Sequence, residues 1–480
     1  MSAADAQAMR ALICKDLREF TRDRRLSLAA AVVVLLALLS LMLAWQQVDA
    51  YERERIAAEA LDRRTWLEQG ERSPHGAAHF NSWAFRPLSA MSLLDPGVTP
   101  YAGAAIWMEA HYQDAAAARA AEDRVGALDL GQFSLAWVLQ TLAPLLVAVL
   151  AAGLVARERE RGTLRLMLVS GLRVERAVAL KTRAMAILAA LVLAPLLPAA
   201  AALVALAPTP VDADQIQRLA LWLGAHVMYL GAAVLLAVAV SVRVRSVDRA
   251  MVLLVGGWLL AVPLSPRLGA TAAEALAPLP AATTFWSQVT TDLGAVDVFD
   301  ADNAAARRLQ EATLQRYGVT RLEDLPVNFA GIQLDAAERQ GNAVFDRHYA
   351  ALHAIEDRQQ RILRATALIS PLVAVQNVSA GLAGTDSAHQ RAFVAQAEAH
   401  RRHTVGLLNG DMIRNAGREN FDYKAGPALW AQIPSFAYRA PAWTALWRGW
   451  LPDALILLAW VAAGMLALRA AARALASEEP

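Results

Sequence analysis

Six stretches of mostly apolar residues, at 26–44, 133–156, 184–207, 219–242, 250–266 and 450–468, limit the fold before any motif is read. A helix needs about 20 such residues to cross roughly 30 Å of hydrocarbon, and inside a bilayer the backbone must satisfy its own polar groups. The chain is 56% hydrophobic over 480 residues, so its composition agrees with the local pattern. The fifth stretch is the weakest, being short, carrying Gly256-Gly257 and meeting Pro263 and Pro266.

Basic residues set the threading, because cytoplasmic loops concentrate Lys and Arg. The arm 1–25 carries Arg10, Lys15, Arg18, Arg22, Arg24 and Arg25. The loop 157–183 carries Arg157, Arg159, Arg161, Arg165, Arg173, Arg176, Lys181 and Arg183. Arg243, Arg245 and Arg249 follow the fourth stretch, and the tail 469–480 holds Arg469 and Arg473. Between the third and fourth stretches, Asp212 and Asp214 stand against a single Arg218. Six crossings with both termini cytoplasmic put every basic cluster on one side. Dropping the fifth would strand Arg469 and Arg473 on the other.

The expected fold is an all-α integral membrane protein of six transmembrane helices. A mainly helical extracytoplasmic domain is built from two long inserts, 45–132 and 267–449. Arg24-Arg25 and Val48-Asp49-Ala50 loosely resemble a cleaved signal peptide. The apolar run of near 19 residues and the long arm before it favour a retained span. The single cysteine, Cys14, falls on the arm, so the inserts must hold together by packing alone. A net charge of +2 gives no reason to expect a nucleic-acid partner.

Within the inserts, Ala105–Leu128, Asp300–Arg316, Asp335–Ala365 and Ser387–Leu408 are rich in helix-forming Ala, Arg, Glu and Gln. The first is expected to extend the second span outward. Ser73-Pro74, Asp95-Pro96-Gly97 and Gly384-Thr385-Asp386 mark turns. Ala367–Ala383 is apolar, but Pro371, Gln376, Asn377 and Ser379 favour a buried helix of the insert over a seventh span.

No glycine-rich phosphate loop is present: Lys181-Thr182 follows Leu180 where the motif needs glycine, and H-E-x-x-H is missing. No cofactor is therefore expected in this chain, and energy must come from a partner or a gradient. On the arm, Met9, Leu12, Ile13, Leu17 and Phe20 recur at helical spacing, as in an amphipathic helix lying on the inner membrane surface. After the second span, Thr163 is placed to N-cap a short helix in which Leu164, Met167 and Leu168 share a face and Gly171 offers a stop. With Glu158, Glu160, Arg161, Gly162 and Arg165 around it, this compact turn could enter a groove on a soluble partner, its charges fixing the orientation. Pro144, Pro195 and Pro198 could bend spans two and three.

Glu160-x-Gly162-Thr163-Leu164, with Leu166, Leu168 and Ser170, between spans two and three resembles the coupling helix of type-2 ABC exporter permeases. Pro74–Phe80, Ala84–Ser89, Asp95–Gly97, Leu325–Gly331 and Gly384–Asp386 resemble the subgroup with a two-part extracytoplasmic insert of unknown function. The resemblance implies the permease subunit of a bacterial inner-membrane exporter, working with a second permease copy or a related permease in the lipid bilayer. A separate ABC ATPase subunit, binding ATP and Mg, would dock on the 157–183 loop through Glu158, Glu160, Arg161, Gly162, Thr163, Leu164, Met167 and Leu168. It implies no catalytic residue here and no particular cargo. A rival reading keeps the ATPase but moves no substrate, the ectodomain acting instead on a periplasmic partner.

The histidines allow further readings. His226 lies in the fourth span with Trp222 and Tyr229 at helical spacing. An ionisable residue there is a functional candidate, or simply a hydrogen-bonded side chain near the outer end. His75 and His79 are four apart, with Glu109 and His111 nearby in sequence, and on one helical face could hold zinc or copper. Pro74 and Gly76 argue against a regular helix there, and buried hydrogen-bonded histidines are the commoner case, so no metal site is assigned. A membrane-anchored metalloenzyme would need metal at that pair. His400 and His403, beside Arg401 and Arg402, read as a solvated helix face.

Overall fold

The computed structural model describes residues 3–80, 82–114, 133–209 and 211–478, with side chains in the first helix from Ile13 onward. It is mostly helical. Six helices are long and apolar enough to cross a membrane: Arg24–Leu67, Leu135–Glu160, Val174–Ala205, Ala213–Arg243, Val247–Leu276 and Trp443–Glu478. Each contains one of the six expected stretches or most of it, the weak fifth included.

The arm forms α1 (Ala3–Arg22), and after a one-residue break at Asp23 the chain enters α2 (Arg24–Leu67). Asp23 caps that start, its Oδ1 accepting from Arg25 N at 3.1 Å. α2 does not stop at the end of its apolar run. Its 44 residues make a rod of roughly 66 Å that carries the first apolar stretch on to Leu67 without a break. There follow α3 (Pro74–Ala78), strand β1 (Trp83–Phe85), a single turn α4 (Thr99–Ala102) and strand β2 (Ala105–Trp107). The strands pair antiparallel, with Ala84 opposite Ile106. The helix expected from Ala105 is thus a strand at its start, where Ile106 and Trp107 suit a half-buried pleat; residues 115–128 lie outside the described ones.

The second apolar helix begins as α5 (Leu135–Trp137), a wide π turn at Val138–Leu142, then α6 (Ala143–Ala152). Pro144 has no N–H for the Gln140 carbonyl four residues back. Tyr229 fills that gap, its hydroxyl donating to Gln140 O at 2.7 Å. At the other end of this helix the chain breaks at Gly153 and restarts as α7 (Ala156–Glu160) and α8 (Thr163–Val169). The third apolar helix is α9 (Val174–Leu193) and α10 (Leu196–Ala205), broken at Pro195. Next come α11 (Ala213–Arg243) and α12 (Val247–Leu259), a second π turn containing Pro263, and α13 (Ser265–Leu276).

The second insert is helical: α14 (Ala282–Ala295), α15 (Ala304–Tyr317), α16 (Phe329–Ala365), α17 (Pro371–Ala383), α18 (Ser387–Asn415) and the turn α19 (Pro427–Trp430). α20 (Trp443–Glu478) is the last of the six apolar helices. The three helices expected here are α15, α16 and α18, the latter two longer than foreseen. α17 is the apolar candidate at 367–383, and it is a buried helix. Its partners are the apolar helices α11 and α20, and it shares the large core with them. Trp222 Nε1 donates to Ser379 Oγ at 2.7 Å, and Ser370 Oγ to the π-turn carbonyl of Ala261 at 2.6 Å.

The two inserts build one body. Buried Arg86 donates to Gly384 O at 2.8 Å and pairs with Gln390, whose amide donates to Ala102 O and Gly103 O. Thr385 Oγ1 donates to Asp95 O at 3.0 Å, and Gly97, at φ +48°, lies flat against Thr385. A second joint sets Trp66 of α2 edge-on to Trp430, with Trp66 Nε1 donating to Trp430 O at 3.1 Å. Asn328 starts α16 by accepting from Gly331 N at 2.8 Å, and Gly331 lets α16 approach Ile413 of α18.

Candidate functional site at the basic end of the bundle

At the end of the bundle that carries the basic loops, the break in the second apolar helix is built by a side chain from another helix. Ser241 of α11 accepts from Val155 N at 3.1 Å and Ala156 N at 3.3 Å while donating to Ala152 O at 3.2 Å. One hydroxyl thereby closes the last turn of α6 and caps α7, fixing the angle at which the chain leaves α6. Gly162 then takes the left-handed conformation, φ +72°, and is the N-cap of α8. Thr163 is the first helical residue instead of the cap, its hydroxyl donating back to Glu158 O at 3.3 Å. Gly171, at φ +94°, ends the turn as expected.

The faces of α8 differ from the sequence expectation. Leu164 is 4% exposed and packs in the main core, with Met167 and Leu168 partly buried against it. Leu166 and Val169 face outward instead, at 70% and 80% exposed. The i, i+3, i+4 face reaches inward because α8 is short and lies on its own bundle, which claims the apolar stripe. Arg161 and Arg165 are exposed beside the outward pair, and Glu160 Oε2 accepts from Val247 N at 3.5 Å.

Glu158 is buried, and its charge is met by two lysines. Its Oε1 accepts from Lys15 Nζ at 2.8 Å and from Lys181 Nζ at 2.7 Å, and Lys181 continues to Asp16 Oδ1 at 2.7 Å. α1, α7 and α9 are thus tied at one point. Burial pushes Asp16 above the usual carboxylate range despite the lysine beside it. For Lys15, burial works against the charge, but the hydrogen bond and charge of Glu158, with those of Glu19 and Asp16, outweigh it and raise the ammonium. A second clamp comes from the far end of α20. Glu478 meets Arg159 at 2.8 Å, Arg245 at 3.3 Å and Arg243 at 3.4 Å, and Arg159 also donates to Val242 O at 2.9 Å. A cleft of about 250 Å³ opens between α1 and this loop, lined by Lys15, Phe20, Glu158, Arg161, Met185 and Met251.

Of the arm residues, Ile13, Leu17 and Phe20 are partly buried on the inner face of α1, against α2 and α9. The side chains of Met9 and Leu12 lie outside the described ones. The helical spacing is right, but this half of the arm packs on protein.

Lys15, Asp16 and Lys181 do not stand out in the sequence as site residues. The available signal was composition: the chain has three lysines, and two of them converge here. His226 is buried in α11 with both nitrogens bonded, Nδ1 to Trp222 O at 2.9 Å and Nε2 to Gln140 Nε2 at 3.2 Å. This is the hydrogen-bonded alternative, though within the bundle instead of at its rim.

Residues 282–439 match the family described as a domain of unknown function (DUF3526). The match begins with α14 and ends before α20, so it covers most of the second insert and none of the six apolar helices. No curated protein matches the chain.

Proposed function

We propose that this chain is the membrane subunit of an ATP-driven exporter, moved by a separate ATPase that docks on the 157–183 loop. In this reading the six apolar helices span the bacterial inner membrane, the basic end faces the cytoplasm with both termini, and the inserts lie outside. The observation that carries it is the outward pair Leu166 and Val169 on a turn fixed by two clamps. Two neighbouring exposed apolar side chains framed by Arg161 and Arg165 offer a partner an apolar contact with charges to orient it. A rigid attachment is what a push from a soluble motor requires, since a loose loop would absorb the motion. Missing phosphate-binding motifs make the motor a partner chain, which would supply ATP and Mg chemistry. Two such permease chains, identical or related, would pair about a two-fold axis.

A second reading has its own support in α2. One unbroken helix joins the basic end to the insert body and is pinned there by Trp66 against Trp430. Such a rod can carry movement to a periplasmic partner with nothing crossing the bundle.

The test is purification from native membranes in mild detergent, reading ATP hydrolysis in the eluate. Activity should accompany the wild-type chain and fall at least tenfold for L166E/V169E. Absence of ATPase activity, or retention in the double variant, overturns the docking reading. Both readings share that step, and vesicle transport of candidate lipids or peptides separates them.

A further inference from the structure

The three histidines 75, 79 and 111 come together in the insert body. Pro74 does not prevent a helix, because at the first helical position its missing N–H costs nothing. α3 therefore forms, with His75 inside it and His79 as its C-cap. The chain leaving β2 is clipped back onto it, Ala110 N donating to Ala78 O at 3.1 Å. His111 follows in the left-handed region, φ +71°, a conformation a non-glycine residue holds only under constraint. The ring centroids then lie 4.8 Å (75 to 79), 5.4 Å (75 to 111) and 5.1 Å (79 to 111) apart. One nitrogen from each ring falls within 4.8 Å of the others.

We propose that His75, His79 and His111 form a binding site for a divalent first-row transition ion of the zinc class, with a fourth position open to solvent. Zn–N bonds of about 2.0–2.1 Å put tetrahedral ligand atoms roughly 3.3 Å apart, so small side-chain rotations close the set. His111 already has the outer partner a ligating histidine needs. Glu338 Oε1 lies 2.7 Å from its Nδ1 and also accepts its backbone N–H at 2.8 Å, which leaves Nε2 free for the ion. Glu338 is held in turn by buried Arg401 at 3.2 Å, and Arg401 by Glu398. Among the described residues, no hydrogen bond satisfies the rings of His75 and His79, so the commoner explanation for clustered histidines is lacking. His79 is exposed, giving an ion a way in and a free coordination position.

The ligands belong to the first insert and Glu338 to the second, so a bound ion would tie the two together. The site does not depend on the permease reading, since its test measures metal alone. The full chain, purified without a histidine tag and stripped with chelator, is titrated with Zn(II), and bound metal is counted by elemental analysis. One ion per chain is expected, falling below a tenth in H75Q/H79Q and unchanged in H403Q. E338Q, a positioning change, should keep the stoichiometry but weaken binding about 10–100-fold. Co(II) should give a tetrahedral visible spectrum that H111Q abolishes. Less than a tenth of an ion in the wild type, or one ion retained in H75Q/H79Q, overturns the proposal. Should H111Q fail to fold, H79Q decides, because its ring faces solvent and its loss does not disturb packing.

Discussion

Removing Lys181 should release the arm, while removing Lys15 should not. Asp16 and Glu158 are both under 10% exposed at the side chain, and Lys181, 7% exposed, touches both at 2.7 Å. K181M leaves two buried carboxylates to Lys15, whose side chain is 42% exposed and whose hydrogen bond reaches only Glu158. Breaking a buried pair from one side costs about 3–5 kcal/mol, because the remaining charge stays desolvated. K15M leaves the Lys181–Glu158–Asp16 chain intact and removes a half-exposed contact worth about 0.2–1 kcal/mol. A loss of about 3 kcal/mol shifts the docked-to-free ratio of α1 by roughly 150-fold, against about fivefold or less for K15M. Cys14, the only cysteine, is exposed on α1 two residues from Asp16, so a spin label attaches at one place without engineering. Electron paramagnetic resonance should show a slow label in the wild type and K15M, and a fast one in K181M. The triple variant D16N/E158Q/K181M, which removes the stranded charges, should recover much of the slow component. Equal mobility in the two lysine variants would refute the argument, since burial would then not set the size of the effect.

Four further outcomes follow from the packing. L164A should destabilise the detergent-solubilised chain by about 2–5 kcal/mol, whereas L166A should change it by less than about 0.5 kcal/mol, read from thermal unfolding. G97A should cost more than an ordinary turn substitution: φ is +48° and a Cβ would sit 2.5 Å from Thr385 O, so a loss of at least about 2 kcal/mol and faster proteolysis between the inserts are expected. G331A places a Cβ 2.8 Å from Ile413 N and should loosen α16 from α18, seen as faster amide exchange in both helices. His400 is held below its ordinary value of 6.5 by burial and then by His403, so protons prefer the unfolded chain. Its contribution is complete above about pH 6.5 and is lost as pH falls, so the unfolding midpoint should drop more steeply toward pH 5.5 in the wild type than in H400Q; parallel slopes would count against it.

The six apolar helices were legible because each is carried by a run of some 20 apolar residues, a signal that survives local irregularity. Helix ends were harder to read. α2 runs on to Leu67 because 45–67 has no proline or glycine to stop it, so where the apolar run ends says nothing about where the helix does. The Ala105–Trp107 strand was hidden by alanines, whose helix propensity lost to pairing with Trp83–Phe85. On α8 the periodicity was correct and the inference from it reversed. A helical stripe shows that one face is apolar, not whether the molecule or a partner covers it. For a seven-residue helix lying on a bundle, the bundle has first claim.

Long-range polar pairs leave no local trace. Glu158 is 143 residues from Lys15 and 23 from Lys181, and His111 meets Glu338 across 227 residues. None of these spacings has a period, so they emerge only from the fold. Their placement nevertheless follows a common logic. Buried charges are costly, and each of these persists where several elements must be held in one arrangement: α1, α7 and α9 at the basic end, α3, α16 and α18 in the insert body. A network that would favour its own replacement by apolar packing is retained most readily where release is useful. Hydrophobic contacts there would hold equally well but would not respond to a neighbouring charge or ion. If that logic is right, making the Glu158 cluster apolar should stabilise the chain to heat while uncoupling the arm from a docked partner. D16L/E158L/K181M tests this with the Cys14 label and thermal unfolding together. A variant less stable than the wild type, with the Cys14 label fast, would mean that the charges hold the fold and serve nothing beyond it.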